Sequence, residues 1–298
     1  TSSTTSSNEG RTFICNLNTL GDPFIQLNIL IIYKDYYDKQ TMKQIINLNK
    51  PISITPLEAV KKFQKKNPEY KNKKIGYAGR LDPMAEGILL LLIEDKNKEI
   101  TKYMNLDKTY KAKVLFGFST DSFDILGLPK KAKAIPEKNK DFETNLKKQI
   151  KKFKGTQTQK LPPYSSYRIK GKPLFHYARE NKLSEIKIPN KKVEIKSISL
   201  NSLKSSTSQT LLKQIQTKIK KLKGNFRQKQ IQTKWKQILQ KQPTTKYLIA
   251  EITISCSSGT YIRTIANDLG KKLNTSAILL NLQRTKLGKY NIKNSIKI

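Results

Sequence analysis

Residues 79–93 read GRLDPMAEGILLLLI, a turn running directly into a strand. Gly79 and Gly87 bracket a loop in which Asp82 precedes Pro83, and Ile88 to Ile93 is a continuous apolar run that suits a buried strand. An Asp before a Pro is ordinarily a turn residue. The flanking glycines, however, allow another backbone or a ligand to approach closely, and the following strand would hold the carboxylate rigidly at a sheet edge.

Upstream, Ile45 to Leu48 is strand-like and ends at Asn49, Lys50 and Pro51, where the main fold is expected to begin. Thr55, Pro56 and Glu58 read as an N-cap, a proline in the first helical position and a favourable early acid; Leu57, Val60 and Phe63 give the apolar spacing of a helix that ends near Asn67 and Pro68. Gly76 to Pro83 reads as a loop. Downstream, Lys111 to Phe118 reads as a strand, and Phe142, Leu146, Ile150 and Phe153 recur at helical spacing up to Gly155. Val193 to Leu200 and Leu248 to Cys256 follow as strands, then a helix marked by Ile262, Ile265, Ala266 and Leu269 that ends at Gly270. Strands and helices in this irregular order predict an α+β fold, a mixed, largely antiparallel sheet flanked by helices and loops. A βαβ nucleotide-binding fold is not indicated.

The predicted organisation is an extension over 1–44 and one domain over 45–298. Within the latter, 201–246 stands apart: it contains about a dozen Lys and Arg and no acid. Leu211, Leu212, Ile215, Ile219 and Leu222 keep one helical stripe, Gly224 and Asn225 break it, and Phe226, Ile231, Trp235, Ile238 and Leu239 suggest a second helix. This predicts a basic helical hairpin inserted between two core strands, either touching RNA or laying its apolar stripe on the core.

The whole chain has 298 residues, 36% of them hydrophobic, with 59 Lys and Arg against 22 Asp and Glu, a formal charge of +37. A polyanionic partner explains that excess, nucleic acid first, although a lysine-rich compositional bias contributes to it. Two cysteines, Cys15 and Cys256, and a single histidine, His176, argue against a disulfide framework, a zinc centre or a His-based triad. The apolar run from Phe24 to Tyr33 is about half of what a bilayer requires, so no membrane span is expected. Residues 1–11 are rich in Ser and Thr, which leaves a targeting remnant, and hence an organelle, as the alternative to a cytoplasmic location. No helix-turn-helix signature or zinc-finger spacing suggests a DNA-binding protein.

Two further segments matter. Lys108, Thr109, Tyr110 and Lys111 precede a strand, where a tyrosine is commonly a half-buried core residue. Ser257, Ser258, Gly259, Thr260, Tyr261, Ile262 and Arg263 lead from a core strand into a helix, where an Arg ordinarily pairs with a structural carboxylate.

Taken together in order, the three segments resemble the TruB family of tRNA pseudouridine-55 synthases. In that family a GxLDPxAxG loop carries the catalytic Asp, a KTY segment an active-site Tyr and a GTYIR segment an Arg that pairs with the Asp; the matching residues here are Asp82, Tyr110 and Arg263. The resemblance extends to Pro162, Pro163, Tyr164, Ser165 and Ser166, to Gly171, Lys172, Pro173, Leu174, Tyr177, Ala178 and Arg179, to Asn47, Leu48, Lys50 and Pro51, and to Asp268, Leu269 and Gly270. It covers about residues 45 to 290 without the hairpin. The implied fold is that of the pseudouridine synthases. The implied reaction is isomerisation of a uridine in the T-loop of tRNA: cleavage of C1′–N1, rotation of the base and rejoining through C5, with no cofactor and no metal. The implied partner is the T-arm of tRNA, bound by a monomer along one face. The implied RNA contacts are Tyr77, where the family usually has His, and Lys50, Arg80, Lys108, Tyr164, Lys172, Tyr177, Arg179 and Arg284. His176 falls at a variable position and is expected to be structural.

The sequence departs from the pattern at Ser53, where the family usually has Gly, and at Asn49, where it often has an acid. The sequence runs only a few residues past Gly288, so no C-terminal PUA domain is expected, and the basic hairpin is expected to recover the RNA affinity that such a domain supplies. GRLDPMAEGILLLL also resembles the loop of the ribosomal pseudouridine synthases, but Pro83 and the other segments favour the tRNA type. A catalytically silent RNA-binding protein of the same fold is the alternative, against which intact Asp82, Tyr110 and Arg263 speak.

Overall fold

The computed structural model describes residues 42–298 and Phe24. Apart from Phe24, the readings made for residues 1–41, including the apolar run from Phe24 to Tyr33 and Cys15, lie outside the described residues. Gln44–Ile298 form one compact unit.

Its first half contains strand β1 (Ile45–Lys50), helix α1 (Pro56–Lys66), β2 (Ile75–Ala78), β3 (Ala85–Ile93), α2 (Ile100–Met104), β4 (Lys108–Phe116), β5 (Phe118–Thr120) and β6 (Pro129–Lys131). There follow α3 (Lys140–Lys151), β7 (Gly155–Lys160), β8 (Arg168–Ile169), β9 (Lys172–Pro173), α4 (Leu174–Arg179), β10 (Asn190–Thr207), α5 (Ser208–Lys220) and α6 (Gln228–Leu239). β11 (Lys246–Cys256), α7 (Ile262–Lys272), β12 (Ala277–Leu287), β13 (Tyr290–Asn291) and β14 (Ile296–Lys297) complete it.

The main sheet runs β14-β1-β3-β12-β4-β11-β10-β7. Only β1–β14 and β3–β12 pair in parallel, so the sheet is mixed and mostly antiparallel, as the sequence predicts. The apolar run of β3 is central because it is covered on both sides: all of its residues except Glu86 are buried. One edge pairs with β1; the other is shared by β2 at the C-terminal half and β12 at the N-terminal half. Gly87 makes the second pairing possible. With φ +104° it lies so close to β12 that a Cβ would sit 2.3 Å from the Arg284 carbonyl oxygen.

Strand alternation sorts the core onto two faces. Val114 and Phe116 of β4 and Ala250 and Ile252 of β11 pack with Leu146 and Ile150 of α3 and Ile265 and Leu269 of α7. Leu115 and Tyr247, one residue out of phase, pack on the opposite face with Leu211, Ile215 and Ile219 of α5 and Ile231, Trp235 and Leu239 of α6. The α5–α6 hairpin therefore lays its apolar stripe on the core. Trp235 is wholly buried, its ring 5.1 Å from that of Phe118 and its indole N–H donating to the Ile125 carbonyl at 3.3 Å.

Local signals behave as expected at α1. The Thr55 hydroxyl accepts from Glu58 N at 3.2 Å and Glu58 accepts from Thr55 N at 2.7 Å, a capping box. Val60 and Phe63 are buried, while Leu57, expected to share their face, is 55% exposed. Two boundaries differ. The predicted loop 76–83 begins as strand β2, because Ile75–Ala78 pair with β3, and the first residues of the predicted helical segment 201–246 extend β10 to Thr207 by pairing with β11. Among the described residues no helix is long and apolar enough to cross a membrane.

Candidate active site

Asp82 lies in the loop joining β2 to β3, and four backbone constraints hold that loop. Ala85 N donates to the Asp82 carbonyl at 2.9 Å, closing the turn. Ser53 N donates to the Pro83 carbonyl at 2.8 Å, tying the loop to the turn after β1. Arg284 donates from Nε to the Ile88 carbonyl at 2.7 Å and from a terminal nitrogen to the Gly79 carbonyl at 3.4 Å, bracing the loop from below. Ser53 adopts φ +68°, the left-handed conformation that a glycine enters freely and that costs another residue about 1–2 kcal/mol. Its hydroxyl donates to the Lys218 carbonyl of α5 at 2.8 Å, a bond that glycine could not make.

Arg263, in the first turn of α7 and 4% exposed, faces the half-exposed Asp82. Its Nε lies 2.9 Å from Asp82 Oδ2 without an aligned hydrogen bond. Its other nitrogens donate to the carbonyls of Ser122 at 2.9 Å and Tyr164 at 3.1 Å, which fix the guanidinium plane. Asp124 is the second carboxylate on this cation, with Oδ2 3.8 Å from Nε. Burial pushes the Asp124 carboxyl above its ordinary range; Arg263, the Ser122 hydroxyl at 2.6 Å and Leu126 N at 2.9 Å oppose that rise, while the Asp82 charge adds to it. The Arg263 guanidinium is held above its ordinary value by Asp82 and Asp124 against the opposing effect of burial.

Above these groups opens a cleft of about 510 Å³, within the ~300–1,000 Å³ usual for small-molecule sites. Asp82 and Arg263 are at its base, with Tyr77, Tyr164, Phe175 and Phe226 as aromatic walls and Arg80, Arg179 and Arg227 as further cations. Of the sequence-predicted residues, Asp82, Arg263, Tyr77, Arg80, Tyr164 and Arg179 thus come together. Lys172 is exposed on β9 away from the cleft lining, and the Tyr177 hydroxyl donates to the Ile169 carbonyl at 3.1 Å, tying α4 to β8. His176 is exposed and stacks on Phe175 with centroids 5.1 Å apart.

Three expected RNA contacts require correction, and Tyr110 sits deeper than expected. Lys50 is wholly buried, not on an RNA surface; Nζ donates to the carbonyls of Pro51 at 2.9 Å and Ile54 at 2.8 Å, and burial lowers its pKa to about 7 against the pull of Asp82. Lys108 is likewise buried, donating to the carbonyls of Met104 at 2.7 Å and Leu106, with its pKa lowered by burial to about 8. Arg284 is 1% exposed and serves the loop from beneath. Tyr110, expected to face the base, is 7% exposed and packs in the core with Leu81 and Ala85; burial raises its hydroxyl pKa, and the guanidinium of Arg284, its register partner, opposes the rise. The alternation of β4 turns Lys108 and Tyr110 inward with Ala112 and Val114.

The sequence reading missed Asp124, Phe175, Phe226 and Arg227. Asp124 had a signal: two acids, Asp121 and Asp124, four positions long in all, directly follow a strand in a chain with only 22 acids. Arg227 had none, because its place depends on the hairpin turn folding back over Tyr164, with Cζ 4.6 Å from the ring centroid and a 2.9 Å contact to Asp121. Among the described residues no group of His, Cys, Asp and Glu is arranged to hold a metal ion.

Residues 66–227 match the model of the TruB family pseudouridylate synthase N-terminal domain. A tRNA pseudouridine synthase B of Malacoplasma penetrans (strain HF-2) is 30% identical over 250 residues, 84% of this chain and 87% of the relative. That of Clostridium tetani (strain Massachusetts / E88) is 31% identical over 257 residues, 86% of this chain and 72% of the relative. A solved Cbf5–Nop10–Gar1 complex contains a chain that aligns with a TM-score of 0.49 at 17% identity; the alignment covers 85% of this chain but only 52% of that one. The matched domain and the extent of shared sequence place the chain in the TruB family of pseudouridylate synthases.

Proposed function

We propose that this protein converts a uridine in the T-loop of tRNA, at position 55, to pseudouridine, with Asp82 as its catalytic carboxylate. The observation that carries the proposal is the half-exposed Asp82, 2.9 Å from a buried guanidinium at the base of a cleft walled by aromatic and basic side chains. The relatives' names supply the tRNA; the charge of +37 suits any RNA.

A base in a folded loop must leave its stack to reach Asp82, at a cost of a few kcal/mol. Stacking on aromatic side chains offsets this by about 1–3 kcal/mol per base, and Tyr77, Tyr164, Phe175 and Phe226 offer the faces. The C1′–N1 bond then breaks, the uracil rotates and C1′–C5 forms; C5 loses its proton and N1 gains one, so the product is an isomer and no redox partner enters. Asp82 serves either by attacking C1′ or as the base and electrostatic partner of a glycal. In both routes Arg263 positions the carboxylate, while its two carbonyl contacts keep the guanidinium from following the substrate.

The test is incubation with unmodified tRNA followed by chemical mapping of pseudouridine. The wild type is expected to modify the T-loop uridine, and Asp82→Asn to abolish modification while still binding tRNA. Unchanged turnover in Asp82→Asn removes the catalytic assignment; modification confined to another site removes the T-loop.

A further inference from the structure

The α5–α6 turn reaches the same cleft from a part of the chain that the family motifs do not include. Phe226 and Arg227 line the cleft beside Asp82, and Arg227 also lines an adjoining open groove of about 910 Å³ that runs along α6 and β6. The groove is lined by Lys130 on β6 and by Lys229, Gln230, Lys234 and Gln237 on α6, with no carboxylate among its lining residues. Because Ile231, Trp235 and Leu239 spend the opposite stripe of α6 on the core, the groove-facing stripe is left to solvent.

The turn is built rigidly. Arg227 holds φ +59°, pinned by Asp121 at 2.9 Å and by the Tyr164 ring. The Asn225 carbonyl accepts from Arg179 at 3.0 Å, and the Gln228 amide donates to the carbonyls of Leu222 and Gly224 at 3.2 and 2.6 Å. In the last turn of α5, the bond from the Ser53 hydroxyl to the Lys218 carbonyl joins the hairpin to the residue whose own N–H holds Pro83.

Resting on the reading that the substrate is RNA, we propose that the α5–α6 hairpin grips it: Phe226 and Arg227 contact nucleotides flanking the target, and the Lys130–Lys229–Lys234 groove carries the phosphate backbone away from the cleft. Recognition along this track is by charge and amide donors, so it holds RNA without reading its sequence. Two sets of three exposed lysines, equal in charge, then distinguish the track from the rest of the hairpin surface. Lys229 and Lys234 face the groove, with Lys130 opposite; Lys213, Lys220 and Lys221 are exposed on and after α5 and do not line it.

The test compares two triple variants of the full chain, Lys130→Gln/Lys229→Gln/Lys234→Gln and Lys213→Gln/Lys220→Gln/Lys221→Gln. Each removes the same charge from exposed positions. Binding of unmodified tRNA across a salt series and turnover at fixed salt are the readouts. For the groove variant, the slope of log K against log salt is expected to fall by about two to three, because each lost phosphate contact removes about 0.7–0.9. Its KM for tRNA is expected to rise severalfold with kcat retained, while the α5 variant stays near the wild type. Equal effects of the two variants, or none from the groove variant, overturn the proposal and leave net charge alone. Pseudouridine formation by the wild type tests the functional reading separately: absent turnover with the contrast intact keeps the RNA track and removes the reaction.

Discussion

Replacing Arg263 by Gln tests whether one guanidinium serves two carboxylates. The substitution removes the 2.9 Å contact to Asp82 and leaves Asp124 buried without its cation, and both the Ser122 and Tyr164 carbonyls lose a donor. Breaking a buried ion pair from one side costs about 3–5 kcal/mol, a large share of the ~5–15 kcal/mol that holds a domain together. The cost depends on pH in a definite direction. Asp124 already has a folded pKa above its unfolded value, and Arg263 is the largest effect opposing that rise. A group raised in this way contributes most at low pH and loses its contribution as pH climbs from the unfolded value toward the folded one. Without Arg263 the Asp124 carboxyl rises further and takes up a proton, so the deficit of Arg263→Gln is expected to be greatest at pH 7 and to shrink toward pH 5. Adding Asp124→Asn removes the stranded charge and is expected to return about 2 kcal/mol. Urea denaturation of the wild type, both single variants and the double at the two pH values measures this, with pseudouridine formation alongside. Activity is not expected to return in the double variant, since Asp82 still lacks its positioning partner. Single costs that simply add, within about 0.5 kcal/mol, refute the shared-cation argument.

Further outcomes follow from the packing. Lys50, with a folded pKa of about 7 against an ordinary 10.5, binds fewer protons when folded, so stability rises between those values; relative to Lys50→Met, the wild type is expected to gain about 2 kcal/mol from pH 7 to pH 9 in denaturant titrations. Ser53→Ala keeps the left-handed strain and loses the bond to Lys218, whereas Ser53→Gly loses the bond but relieves the strain, so the alanine variant should unfold about 1 kcal/mol more easily than the glycine variant. Gly87→Ala must push β12 away and is expected to cost about 3 kcal/mol in urea and to lower kcat through the Asp82 loop; an unchanged kcat would separate that pairing from the site. Trp235→Ala, emptying a wholly buried site, should cost about 3–5 kcal/mol by the same measurement, against near zero if the hairpin were a solvated excursion.

Much of the fold was legible because the deciding signals are local. The capping box at Thr55, the helical spacing of α3 and α7, and the apolar run of β3 each name an element without knowledge of its neighbours. The errors fall where pairing makes the element. Ile75–Ala78 contain a glycine and read as loop until β3 pairs with them, and the serine-rich end of β10 is a strand only because β11 lies against it. The site divides in the same way. Asp82 and Arg263 were found by their motifs, but Arg227 comes to the cleft through a turn whose direction no local pattern records.

The misplaced cations show what charge conceals. The family resemblance implied RNA contacts at Lys50, Lys108 and Arg284, which agrees with the rule that a charged side chain is rarely buried without a partner. Each lies on a strand, and in each case alternation puts it in phase with buried neighbours: Lys50 with Ile46 and Leu48, Lys108 with Tyr110 and Ala112, Arg284 with Leu282. Backbone carbonyls then supply the partners that acids would otherwise provide, from Pro51 and Ile54 for Lys50, from Met104 and Leu106 for Lys108, and from Ile88 and Gly79 for Arg284. Unlike Arg263, which faces two carboxylates, these three buried cations cap carbonyls, and two of them, Lys50 and Arg284, brace the turns beside Asp82. Strand phase, read before charge, would have separated these structural cations from Arg80 and Arg179, which lie outside the strands and line the cleft.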